Sequence, residues 1–325
     1  MNIQRRTALL GGAALLATTA GAAAQQAGWP SRPITLVVPF AAGSSTDVVG
    51  RQAARAISEG TGQQVVVENR TGAAGIVGSQ AVARARPDGY TLLIVTNSTH
   101  AANRALFRNL PYDPVADFAP ISNLSTGPLI LLSHPSLPFR TLAELTAYGR
   151  ANPGKLSYGY SGSSSQIAAV MVTNGGKFEA LGVQYRSIPP AVTDLLGGQI
   201  SFTFADPGNA LQHIRSGQAI GLGVTSAQRT PLAPDVPTLS EAGLPGFEVV
   251  PWQGIAAPAG TDPAIIARIF GALRERYDTS EVRRSYAALG FEVDLSPSPA
   301  AYADFIRTET SRWGELVQLA RIEPQ

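Results

Sequence analysis

The sequence has no cysteine. That excludes a disulfide framework, a lipid-modified cysteine anchor, and any thiolate nucleophile or metal ligand. Histidine is scarce: only His100, His134 and His213 occur, and none stands at a zinc-ligand spacing from another. No Gly-x-Ser-x-Gly elbow is present, since Gly162-Ser-Ser-Ser lacks the closing glycine. Beyond the first 24 residues no apolar run approaches the ~20 residues needed to cross a bilayer. No cluster of Lys and Arg suggests nucleic acid as a partner. Of 25 Lys and Arg, two lie in the N-terminal segment, and the remaining 23 balance 23 acidic residues. No metal and no cofactor is expected.

A leader is present instead. Arg5-Arg6 precede the apolar stretch 8–17, and Ala22-Ala23-Ala24 offers a small-residue cleavage site before Gln25. Residues 1–24 are therefore read as a signal peptide cleaved near Ala24, which directs the protein to the periplasm. Arg5-Arg6-Thr-Ala-Leu9 also suits a twin-arginine signal, so both export routes stay open.

The remaining chain alternates strand and helix patterns, which predicts an α/β fold with mostly parallel sheets. Strands are expected at 34–40, 64–69, 90–97, 155–160, 183–187, 200–205, 220–225 and 247–255, with helices between them. Residues 121–132 read as extended, broken at Gly127-Pro128. Thr141-Leu-Ala-Glu144 and Thr238-Leu-Ser-Glu241 are capping-box patterns. A terminal helix over 298–321 carries the apolar stripe Tyr302, Phe305, Ile306, Trp313, Leu316 and Val317.

At 325 residues the chain exceeds the ~250–300 that one core supports, so two domains are expected. The layout that fits is a first domain from both chain ends (25–126 and 231–325) with a second inserted (127–230). Crossings near 126–128 and 225–230 would form a hinge, with a cleft between the domains.

Two segments carry the chemistry. The strand at Ile34 runs into Pro39-Phe-Ala-Ala-Gly-Ser-Ser-Thr-Asp47, and the strand at Leu156 into Ser161-Gly-Ser-Ser-Ser165. Each is a loop of small, hydroxyl-rich residues that opens a helix. Such loops present unpaired backbone N–H groups at the positive end of a helix dipole, a ready site for an anion. Candidate ligand contacts are therefore Phe40, Ala42, Gly43, Ser44 and Ser45 on one side and Ser161, Ser163, Ser164 and Ser165 on the other. Asp47 is read as a helix cap.

Ligands of open α/β sheets sit beyond the carboxyl ends of the strands. That adds Asn97, Ser98 and Thr99 after one strand, and Tyr185, Arg186 and Ser187 after another. Tyr185 could give a hydrogen bond and Arg186 could pair with a second carboxylate. Asp206, at the end of Phe202-Thr-Phe-Ala205, could accept from an ammonium or hydroxyl, or cap the following helix. A hydrolase reading, with His100 as base for Ser44 or Ser163, is the remote alternative.

Several motifs occur in order along nearly the whole mature chain. They are Val38-Pro-Phe-Ala-Ala-Gly-Ser-Ser-Thr-Asp47, Val67-Glu-Asn-Arg-Thr-Gly72 and Ala85-Arg-Pro-Asp-Gly-Tyr-Thr-Leu92. Then come Pro111-Tyr-Asp-Pro114, Asn152-Pro-Gly-Lys-Leu156, Thr193-Asp-Leu-Leu-Gly-Gly198 and Pro237-Thr-Leu-Ser-Glu-Ala-Gly-Leu-Pro-Gly246. Together they resemble the extracytoplasmic solute-binding proteins of tripartite tricarboxylate transporters, the Bug-type proteins. The resemblance implies a two-domain periplasmic binding protein, type II-like, that closes on a small carboxylate and delivers it to a membrane permease. It implies a non-enzymatic monomer that holds carboxylates through backbone amides, hydroxyls and water. A receptor that docks a membrane sensor kinase when loaded is the alternative.

The chain departs from the pattern at the presumed pocket. Gly43-Ser44-Ser45 stands where consecutive glycines are usual, Ser164 replaces a glycine, Ala168-Ala169 replaces His-Leu, and Gln184-Tyr-Arg-Ser187 replaces Pro-Tyr-Lys-Gly. The ligand stays open among aliphatic dicarboxylates, aromatic acids, amino acids and neutral amides.

Overall fold

The computed structural model describes residues 28–324. The leader and its cleavage site lie outside the described residues.

The chain begins as a βαβ unit. Strand β1 (Ile34–Val38) is followed by helix α1 (Ser45–Thr61), β2 (Val65–Asn69), α2 (Ile76–Ala83) and β3 (Thr91–Thr96). β1 is Ile-Thr-Leu-Val-Val, apolar and β-branched, and all but Thr35 is buried, as suits a parallel strand covered on both faces. α1 starts where Ser44 Oγ accepts from the Asp47 N–H and stops at Gly62, which takes the left-handed conformation at φ +76°. After β3 the chain makes a π-helical turn (Ser98–Ala102), then the short α3 (Asn103–Leu106) and the long β4 (Phe118–Thr126).

β4 ends at Gly127-Pro128, where the sequence predicts a break, and the chain passes into a second sheet. There β5 (Ile130–Ser133), α4 (Leu142–Ala151), β6 (Ser157–Tyr160), α5 (Ser163–Gly176) and β7 (Leu181–Gln184) follow in turn. Next come α6 (Ile188–Leu196), β8 (Phe202–Ala205), α7 (Pro207–Arg215) and β9 (Ile220–Val224). The chain returns through β10 (Trp252–Pro258), α8 (Pro263–Arg276), α9 (Ser280–Leu289), β11 (Glu292–Val293) and α10 (Pro299–Leu319).

The first sheet has the order β11-β4-β10-β3-β1-β2, and the second β7-β6-β8-β5-β9. In the first, β1 to β4 share one direction, while β10 and β11 oppose them. In the second, β5 alone opposes the rest. Both sheets are thus mixed, each with parallel strands and one dominant strand direction.

The segment 231–249, placed by its sequence with the first domain, packs on the second sheet. Ala233 and Val236 join the apolar cluster of Ile130, Leu132 and Val224, and the Leu239 N–H donates to Val224 O. The Thr238–Glu241 capping-box hydrogen bonds form in both directions, but turns follow them rather than a helix, with Pro245 close downstream. The return to the first sheet therefore comes at 250–251, not 225–230. There the two crossing segments touch, the Gly127 N–H donating to Pro251 O at 3.2 Å.

Of the expected stripe, α10 buries Tyr302, Ile306, Trp313, Leu316 and Val317, with Glu309 among them, while Phe305 is half-buried. The indole N–H groups of Trp252 and Trp313 both donate to Glu309 Oε2, at 2.7 and 2.8 Å. That shared acceptor satisfies two buried donors and explains an acid inside an apolar face.

Candidate functional site

The starts of four helices face one cavity between the two sheets: Ser45 and Thr46 of α1, Ser164 and Ser165 of α5, Ile188 of α6, and Asn209 of α7 all line it. It encloses about 100 Å³, against the ~10–15 Å³ that admits one water. The first N–H groups of a helix have no intrahelical partner, so the walls are rich in donors. Some are already used: Asp47 N–H by Ser44 Oγ, Ser163 N–H by Ser98 Oγ, and Asn209 N–H by Asp206 Oδ1.

The two sides meet directly. Asn97 Nδ2 donates to Ser164 Oγ at 2.7 Å, and Ser163 Oγ donates to Ser98 Oγ at 2.8 Å. Gly162 permits this approach, since a Cβ there would stand 3.2 Å from Ser98 Oγ.

Of the residues singled out from the sequence, Phe40, Ser44, Ser45, Asn97, Ser98, Ser161, Ser164, Ser165, Ser187 and Asp206 line the cavity. The others lie elsewhere. Ala42 and Gly43 are exposed, because the loop turns outward at Gly43 (φ +79°) and its N–H donates to Asp47 Oδ2. Thr99 is fully buried behind the wall and holds the turn through Thr96 N and His100 Nδ1. Ser163 is buried against Ser98, so it joins the two sides without facing the cavity.

Tyr185 and Arg186 line an adjoining surface depression with Pro39 and residues 71–75, which shares Phe40 and Ser161 with the cavity. β7 ends at Gln184, earlier than the sequence predicts. Tyr185 OH is drawn to Asp194 at 2.7 Å, and Arg186 is exposed.

Residues that sequence reasoning missed also line the cavity: Thr46, Thr96, Leu129, Gly162, Ile188, Pro189, Asn209, Pro251, Gln253 and Phe291. Asn209 follows Asp206 at cap spacing, a signal that could have found it. Gln253 and Phe291 arrive from strands and turns remote in sequence, and nothing local marks them.

No Lys or Arg lines the cavity among the described residues, and Asp206 is its one acidic group. Burial pushes Asp206 above the ordinary carboxylate value, opposed by the Asn209 side chain and by backbone N–H groups. Burial also acts to raise Asp47, but hydrogen bonds from Arg51, Gly43 and Asn69 outweigh it and hold that carboxyl low. Asp47 thus ties the loop from behind, through Arg51 Nε at 2.9 Å and Asn69 Nδ2 at 2.9 Å. Burial drives His100 down to about 3; it sits within the π-helical turn, packs against Phe118 and does not line the cavity.

Among the described residues no group of His, Asp and Glu could hold a metal ion, and no helix is long and apolar enough to cross a membrane.

Residues 49–322 match the tripartite tricarboxylate transporter family receptor, TctC. The chain belongs to that family. It is a family of periplasmic binding-protein receptors, not of enzymes, and this receptor has the two-sheet α/β fold of such proteins. It is 35% identical to protein BugT of Bordetella pertussis over 325 residues, covering 98% of each chain. Among solved structures, it superposes with a TM-score of 0.86 on an R. palustris protein solved with adipate, at 32% identity, covering 91% of this chain and 100% of that one. MatC of Rhodopseudomonas palustris, solved with malate bound, gives a TM-score of 0.84 at 35% identity, covering 89% and 100%.

Proposed function

We propose that this receptor captures a small carboxylate between two lobes and hands it to the membrane permease of a tripartite tricarboxylate-type transporter. The lobes are 28–126 with 252–324, and 127–251, the second inserted into the first. The observation that carries the reading is the meeting of four helix starts on a cavity with no basic side chain. A carboxylate there takes its hydrogen bonds from backbone N–H groups and serine hydroxyls, with the aligned peptide dipoles favouring its charge. The ligand contacts are Phe40, Ser44, Ser45, Asn97, Ser98, Ser161, Ser164, Ser165, Ser187 and Asp206, to which we add Asn209 and Gln253. Relatives solved with adipate and malate support an acid of this size.

The protein acts as a monomer in the periplasm after cleavage near Ala24, which the intact mass of exported protein and light scattering would check. A thermal-shift screen of small acids on the mature protein tests the ligand class. A ligand at 100 times its dissociation constant adds about 2.7 kcal/mol of stability. A broad acid panel without a shift, beside neutral sugars or amides that do shift the melt, would overturn the carboxylate reading.

A further inference from the structure

We infer that the preferred ligand is an acid with a hydrogen-bond donor on its carbon skeleton, an amino or hydroxy acid, and that Asp206 and Gln253 receive that donor. The inference rests on the carboxylate reading of the same cavity and narrows it.

The cavity wall is rich in donors: helix-start N–H groups and serine hydroxyls. These match oxygens. Two groups do not fit that scheme. Asp206 lines the cavity with 4% of its surface exposed. Its Oδ1 takes the Asn209 N–H and Nδ2, its Oδ2 takes Nδ2 at 2.8 Å, and the backbone N–H groups of Asp206 and Gly208 also act on the carboxylate. A carboxylate offers about four lone-pair sites, so Oδ2 keeps capacity for a further donor. Capping α7 needs only one oxygen, which a neutral Asn or Ser would supply equally well. Asp206 therefore carries one oxygen more than the cap uses.

Gln253 is the second group. It lines the same cavity from β10, is 5% exposed, and its Oε1 is buried with no hydrogen-bond partner. Ser125, its register partner on β4, has an equally unpaired Oγ, so the neighbouring strand does not satisfy it. A buried unpaired acceptor in a cavity wall is a position for a ligand donor. A plain dicarboxylate would set its own charge against Asp206 and leave Gln253 empty. An ammonium or hydroxyl beside the carboxylate gives both an N–H or O–H to accept.

The test is calorimetric titration with two matched series, succinate, malate and aspartate, and propionate, lactate and alanine. It uses the full mature chain, Asp206→Asn and Gln253→Met. In the unaltered protein, the hydroxy or amino member of at least one series should bind at least about tenfold tighter than its unsubstituted parent. Asp206→Asn keeps the cap, so its melting curve should stay close to that of the unaltered chain. It should reduce the preference to within about threefold, chiefly by weakening the substituted acid. If Asp206→Asn fails to fold, Gln253→Met reads the same ratio, which should fall by at least about threefold. The malate and aspartate arms separate hydroxyl from ammonium.

Unsubstituted acids binding as tightly as their partners in both series would overturn the inference and leave the carboxylate function standing. No binding by any of the six, with a neutral compound found to bind, would overturn the carboxylate reading itself.

Discussion

Arg186 is exposed and lines the depression beside the cavity, not the cavity itself, so we expect charge recognition not to depend on it. Arg186→Ala should leave acid binding within about twofold, since no charge-assisted hydrogen bond to ligand is lost. Ser164→Leu should act very differently. It replaces a hydroxyl on the wall and removes the acceptor of the Asn97 hydrogen bond. We expect a loss of at least about 2 kcal/mol of binding, roughly thirtyfold. Calorimetry on both variants decides the pair; the opposite ranking would mean an arginine clamp. His100 makes a separate prediction about stability. Burial lowers it from 6.5 to about 3, so the folded protein keeps it neutral while the unfolded chain takes up a proton below its ordinary value. Its contribution is complete above pH 6.5 and declines as pH falls toward about 3. Between pH 7 and 5 it should account for about 2 kcal/mol lost, at 1.36 kcal/mol per pKa unit. Urea midpoints at both pH values should show that slope, and His100→Gln should flatten it. The placement of Ser44, Ser45, Ser164 and Ser165 on the cavity wall was legible because helix starts announce themselves in sequence. Tyr185 and Arg186 fall in the adjoining depression because β7 ends sooner than its pattern suggests, which leaves Ser187 alone to open α6.

At the scale of elements, the first crossing between the sheets is tightly packed. Gly127 leaves no room for a side chain: a Cβ there would meet the Phe291 ring and stand 2.8 Å from Gly290 O. Gly127→Ala should cost about 1–3 kcal/mol through overpacking, read as a lowered chemical-denaturation midpoint. The break at Gly127-Pro128 was legible because proline cannot continue a ladder. The second crossing was not. Residues 231–249 carry proline-rich, loop-like sequence, and which sheet they cover depends on Ala233, Val236 and Leu239 finding partners far along the chain. β11, two residues long, and the π-helical turn at Ser98 likewise follow from tertiary contacts, not local pattern.

For the whole molecule, the Asn97–Ser164 and Ser98–Ser163 hydrogen bonds join the two sides of the cavity. A ligand that touches both sides favours the closed arrangement by its differential contacts. Small-angle scattering should show a smaller radius of gyration when ligand saturates the protein. Ser98→Ala removes the acceptor for both Ser163 bonds and should shift the ligand-free protein toward the larger value. An unchanged profile in both experiments would mean a rigid molecule that admits ligand without opening.

Two of the three tryptophans, Trp252 and Trp313, end on one carboxylate oxygen of Glu309, and Trp252 is the chain neighbour of the cavity-lining Gln253. The protein therefore carries its own optical gauge. Both indoles are 1% exposed, which should set their emission toward the blue, and any pull on Gln253 reaches the Trp252–Glu309 contact within one residue. Filling the cavity should change intrinsic fluorescence without an added dye, and Trp252→Phe should abolish the response while Trp29→Phe leaves it.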